Sequence, residues 1–93
     1  MSKLQNLTII ILTFNEECNI EYALKNVKDF ALDIFVLDSY STDYTVQICK
    51  NYGARVFYRE FDNYSLQRKY ALNQLPIKTE WIFVLDADEY LTD

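Results

Sequence analysis

LTIIILTF, residues 7–14, is the stretch on which the fold turns. Three isoleucines stand in a row, Ile9 to Ile11, and only Thr8 interrupts the apolar run from Leu7 to Leu12. β-Branched side chains suit a pleated strand better than a helix. A strand apolar at both odd and even positions has no solvent face, so it is covered on both sides, as in a parallel sheet. The run is far too short to cross a membrane as a helix. The N-terminus shows no charged region followed by a long apolar stretch, so no secretory signal is read there and the expected location is cytoplasmic.

Three further strands lie downstream: Ile34–Asp38, Arg55–Arg59 and Trp81–Leu85. The second and fourth are nearly as continuously apolar as the first. Helical spacing fills the intervals. Ile20, Leu24 and Val27 recur at i, i+4 and i+7, with Asn19 as a candidate cap. Val46 and Cys49 share a face after Asp43, and Gly53 stands where that helix stops. Leu66, Tyr70 and Asn73 are expected to line one side of a third helix that Ser65 caps and Pro76 ends. Strictly alternating strands and helices predict an α/β fold: a Rossmann-like parallel sheet with helices on both faces. Leu7–Phe14 and Trp81–Leu85 are expected to be adjacent and central.

The 93 residues fit one domain or part of one. At 51% hydrophobic and 16% aromatic, the chain is too apolar for disorder. A net charge of −5 without a basic run excludes a nucleic-acid surface. No histidine is present, which removes imidazole general bases and the usual zinc sites. Cys18 and Cys49 match no metal spacing and are expected to be reduced, buried thiols. Neither G-x-G-x-x-G nor G-x-x-x-x-G-K-[ST] occurs, which argues against dinucleotide and P-loop enzymes.

Open parallel sheets bind ligands beyond the carboxyl ends of their strands, where strand order reverses. Here those ends read Thr13-Phe14-Asn15-Glu16, Asp38-Ser39-Tyr40-Ser41 and Asp86-Ala87-Asp88-Glu89. In the order three-two-one-four they form one rim. Asp86 and Asp88 flank Ala87, and residues i and i+2 of an extended segment project to the same side. Two carboxylates so placed suit a hard cation, Mg²⁺ or Mn²⁺, which would bridge a diphosphate. The alternative is a solvated acidic turn. Asp38 is either a turn or capping residue or an acceptor for a base or ribose donor. Phe14 is either core or a stacking surface. Glu16 and Glu17 either bind ligand or favour the positive start of a helix. Arg68 is either an exposed helix residue or a diphosphate clamp.

Four segments, in order, carry a resemblance: I-I-L-T-F-N-E-E (residues 10–17), V-L-D-S-Y-S-T-D-Y-T (36–45), Q-R-K-Y-A-L (67–72) and W-I-F-V-L-D-A-D-E (81–89). Together they resemble the family 2 glycosyltransferases, which have the A-type nucleotide-sugar fold, and look most like the subgroup of β-1,4-glucosyltransferases that builds lipopolysaccharide or lipo-oligosaccharide core. The resemblance implies a UDP-sugar donor, a glycan or lipid-linked glycan acceptor, inverting transfer and peripheral membrane contact in the full-length enzyme. By the same resemblance Thr13 and Phe14 would contact the nucleobase, Glu16 would line the donor pocket, and Asp38 would bind the base. Arg68 would lie near the diphosphate, Asp86 would hold ribose or metal, and Asp88 would ligate the metal. Ser39 departs from the family's second Asp, Tyr40 and Tyr44 from its glycines, and Lys69 from a frequent Asn. The family's base and acceptor region follow the D-x-D motif, so residues 1–93 are expected to be the donor-binding portion, without a catalytic residue and open to self-association at an unfinished sheet edge. Two other readings are a haloacid-dehalogenase-like phosphatase, where Tyr90 replaces the usual Thr or Val, and a non-catalytic α/β interaction module.

Overall fold

The computed structural model describes residues 6–86. Its elements alternate throughout: β1 (Leu7–Thr13), α1 (Ile20–Val27), β2 (Asp33–Asp38), α2 (Thr45–Asn51), β3 (Arg55–Tyr58), α3 (Tyr64–Gln74) and β4 (Trp81–Asp86). The strands form one parallel sheet in the order β3-β2-β1-β4. Chain direction across the sheet therefore reverses between β1 and β4. The register sets Thr13 opposite Asp38 and Leu12 opposite Asp86, so one strand end from each side reaches the end of β1.

The unbroken apolar run of β1 has the predicted consequence. Ile9 and Ile11 face one layer with Val36, Leu85, the α1 residues Ile20, Leu24 and Val27, and Cys49 of α2. Ile10 and Leu12 face the other with Phe35, Leu37, Val84 and Ala71 of α3. Fully burying each such aliphatic side chain is worth about 1.5–3 kcal/mol. Helices thus cover both faces.

Four expectations need correction. β4 neighbours β1 but is not central: it forms one edge of the sheet among the described residues, and Trp81, Ile82 and Phe83 are exposed. Only its carboxyl-terminal half, Val84 and Leu85, is buried, which is the half that meets the rim. On α3 the buried stripe is Gln67, Ala71 and, just past the helix, Leu75, while Leu66 and Asn73 face solvent. Gln67 tolerates burial because both ends of its amide are hydrogen-bonded, and a polar side chain on the inward face hides that face from an apolar-periodicity reading. The cap of α3 is Asn63, whose side chain accepts from the Leu66 N–H, and not Ser65. Cys49 is buried as expected, but Cys18 is exposed; both are free thiols.

α2 ends in a Schellman arrangement. Gly53 N–H donates to Lys50 O and Ala54 N–H to Cys49 O, with Gly53 at φ +81. This turn delivers the chain into β3 at the correct register beside β2.

Candidate functional site

The site is assembled from two loops that hold each other. The β1–α1 loop (14–19) and the β2–α2 loop (39–44) exchange hydrogen bonds in both directions. Asn15 N–H donates to Ser41 Oγ, Glu16 N–H to Thr45 Oγ1 and Glu17 N–H to Asp43 Oδ2. In return Thr42 N–H donates to Asn15 Oδ1 and Tyr44 N–H to Glu17 Oε1. Backbone donors at the start of each helix need acceptors, and here each loop supplies the other's. Glu17 and Asp43 therefore have structural partners in this exchange. Asp43 is held below its ordinary carboxyl range: burial opposes ionisation, but hydrogen bonds from the Thr45 hydroxyl, Thr45 N–H and Glu17 N–H outweigh it.

Asp38 lies beneath both loops, fully buried. Its Oδ1 accepts from Thr13 Oγ1 at 2.7 Å and Ser41 Oγ at 2.6 Å, and its Oδ2 accepts from Ser41 N–H at 2.7 Å. Charge-assisted bonds of this kind are among the stronger ones. Asp38 also adds to the burial that pushes the neighbouring Cys49 thiol up to about 12.

Above this floor a cavity of about 210 Å³ opens at the reversal between β1 and β4. Thr13, Phe14 and Glu16 line it from the first loop, Ser39 from the second, Phe61, Tyr64 and Gln67 from the α3 side, and Asp86 from β4. A second hollow of about 530 Å³ shares Phe14, Glu16, Ser39 and Phe61, so the two form one cleft. Phe14 and Phe61 keep more than half of their surface exposed, offering ring faces to a planar ligand. Asp86, at the tip of β4, accepts a hydrogen bond from the Tyr64 hydroxyl.

Of the residues singled out from sequence, Thr13, Phe14, Glu16 and Asp86 line this cleft. Asp38 lies under it. Arg68 is exposed on α3 and is not among the lining residues. Ala87 and Asp88 lie outside the described residues. Phe61, Tyr64, Gln67 and Arg59 were not singled out. Arg59 makes a two-pronged pair with Asp62 at 2.9 and 3.0 Å, donates to Gln67 Oε1 at 2.7 Å, and lies over the Tyr70 ring. That pairing, with the Asn63 N–H, lowers the Asp62 carboxyl to about 2. Arg59, hydrogen-bonded to the cleft-lining Gln67, is thus already matched to a carboxylate.

Of the departures noted at the second motif, Tyr40 has φ +61, a region that favours glycine, and its ring stacks on Tyr58 at 5.6 Å. Tyr44 has φ −86, a backbone that any residue adopts.

Residues 8–93 match the family described as Glycosyl transferase family 2. An uncharacterized glycosyltransferase of Rickettsia bellii is 38% identical over 88 residues, covering 95% of this chain and 29% of that protein. The SPbeta prophage-derived glycosyltransferase SunS of Bacillus subtilis is 38% identical over 86 residues, covering 88% of this chain and 20% of that one. The chain therefore spans about 30% of the length of the first of these relatives. Among solved structures, glucosyl-3-phosphoglycerate synthase from Mycobacterium tuberculosis, in complex with Mn²⁺, UDP and glucosyl-3-phosphoglycerate, superposes with a TM-score of 0.76 at 21% identity, covering 92% of this chain and 36% of that one. The mannosyltransferase PcManGT from Pyrobaculum calidifontis, in complex with GDP-Man and Mn²⁺, gives 0.74 at 24% identity, covering 97% and 30%. These likenesses carry the fold. The family match disfavours the phosphatase and interaction-module readings, and by it the chain belongs to the family 2 glycosyltransferases.

Proposed function

We propose that this chain is the donor-binding portion of a metal-dependent glycosyltransferase that takes a sugar from a UDP-sugar and passes it to a glycan acceptor of the lipopolysaccharide-core type. The observation that carries the donor site is the cleft at the β1/β4 reversal, with two exposed aromatic faces at one end and Asp86 at the other. A nucleobase fits against Phe14 and Phe61. Glu16 is acidic and suits ribose hydroxyls better than phosphate. Asp38 supports the base end from below by fixing Thr13 and Ser41.

Among the described residues no lysine or arginine lines the cleft, so the diphosphate requires another source of positive charge. Among the described residues no group of three acidic, Cys or His side chains surrounds a common point. Asp86 is the one D-x-D carboxylate among them; with Asp88 it would hold Mg²⁺ or Mn²⁺, which when bound neutralises the diphosphate as leaving group. The Tyr64 hydroxyl orients the Asp86 carboxylate from outside. Two of the solved structures that share the fold contain Mn²⁺ with UDP or GDP-Man, which supports this reading. The acceptor assignment rests on the resemblance of the D-S-x-S-T-D and L-D-A-D-E segments. It implies work at the inner face of the membrane. No helix among the described residues is long and apolar enough to cross one.

Calorimetry tests the donor reading. UDP is expected to bind weakly alone and at least tenfold more tightly with Mn²⁺. Asp88→Ala should abolish that gain. Equal UDP affinity in wild type and Asp88→Ala with Mn²⁺ present would remove Asp88 from the site. A transfer assay with core-oligosaccharide acceptors is expected to show no turnover by residues 1–93 alone, and robust turnover would place the base within them.

A further inference from the structure

Gln67 connects two groups of opposite hydrogen-bonding character, and this fixes the character of a third. A guanidinium has donors only. The Gln67 amide atom 2.7 Å from Arg59 is therefore its oxygen, and the other amide atom is the NH₂ group. That NH₂ lies 3.0 Å from Ser39 Oγ, so the serine oxygen is the acceptor in this contact. Among the described residues the Ser39 hydroxyl has no acceptor for its own proton. Ser39 also lines both halves of the cleft, together with the exposed Phe14 and Phe61. The proton is thereby directed into the cleft. Arg59 cannot easily rotate to undo this, because its two-pronged pair with Asp62 holds it in plane.

We infer that Ser39 presents a fixed hydroxyl donor to the 4-position of the nucleobase, that Gln67 sets this polarity as a positioning residue, and that the pair selects uracil over cytosine. The inference rests on the UDP-sugar reading above and deepens it. Uracil carries a carbonyl acceptor at its 4-position where cytosine carries an amino donor. A hydroxyl committed to donating pairs with the first and leaves a donor facing a donor with the second. Such a mismatch discriminates more strongly than a change of size, because buried polar groups are left unpaired.

The experiment is a calorimetric comparison of UDP and CDP at one Mn²⁺ concentration, with melting temperature recorded for each protein. Wild type is expected to prefer UDP by about tenfold or more. Gln67→Glu keeps the side-chain length and the Arg59 contact but sets an acceptor against Ser39. The serine proton then turns inward and lone pairs face the cleft. UDP affinity should fall about tenfold while CDP affinity holds or rises. Ser39→Ala should lose the preference to a similar extent, and adding Gln67→Glu to it should cost nothing more. Ser39→Ala decides the matter by itself if Gln67→Glu lowers the melting temperature. Equal binding of UDP and CDP by wild type, an unchanged preference in Gln67→Glu or Ser39→Ala, or additive losses in the double variant would each overturn the inference. Absence of UDP binding by wild type would instead defeat the donor-site reading and take this inference with it.

Discussion

At the scale of single residues, Asp38 stands at a position read as ligand-binding and is held by the protein itself. Its carboxylate accepts three hydrogen bonds within the protein and is fully buried. Removing it leaves the Thr13 hydroxyl and the Ser41 N–H without their acceptor. Asp38→Ala is therefore expected to destabilise the chain by about 3 kcal/mol and to weaken UDP binding with or without Mn²⁺, measured by urea unfolding and calorimetry. Undiminished stability would return Asp38 to the role of a direct ligand contact. Asp62 makes a pH prediction. Its carboxyl is lowered from 3.8 to about 2, chiefly by the Arg59 hydrogen bond. A depressed carboxylate contributes stability that is full above its unfolded value and is lost as pH falls through its folded value. The contribution should thus disappear between about pH 4 and pH 2. Asp62→Asn should lower stability slightly at neutral pH and flatten the acid limb of the stability curve in that window. The contribution is modest because the pair is partly solvated.

At the scale of elements, the clearest sequence signals were those that burial makes unavoidable. β1 must be covered on both faces because its isoleucines point both ways, and its neighbours follow from the alternation of elements. Gly53 was legible for a similar reason: a helix stop followed at once by a strand calls for a left-handed residue. An ideal Cβ there meets nothing within 4 Å, so the effect of Gly53→Ala is confined to the backbone at φ +81. The expected loss is about 1 kcal/mol, or roughly 4–8 °C in Tm. A drop of much more than that would mean the α2–β3 turn rearranges. α3 was less legible. Its inward stripe of Gln67, Ala71 and Leu75 contains one polar and one small residue, so the apolar period points to Leu66 instead. The cleft residues divide the same way. Thr13, Phe14, Glu16 and Asp86 declare themselves by standing at strand ends. Phe61, Tyr64 and Gln67 arrive from a loop and a helix, and only the packing of α3 over the second sheet face brings them there.

At the scale of the whole molecule, the two edges of the sheet formed by the described residues differ. β3 at one edge is short, at four residues, and β4 at the other presents Trp81, Ile82 and Phe83 to solvent. Such an edge invites pairing with another chain. Trp81 is the only tryptophan of the protein and stands at the first position of β4, with its backbone N–H donating to Asn6 O and two thirds of its surface exposed. The chain thereby carries its own optical gauge of that edge. An indole in water emits to the red and one in an apolar contact emits to the blue, so the emission of this single indole, excited apart from the tyrosines, reports whether β4 is bare or covered. Should copies pair along β4, emission is expected to move to longer wavelength across a dilution series, whereas a ligand in the cleft, at the opposite end of the strand, is expected to leave the wavelength in place.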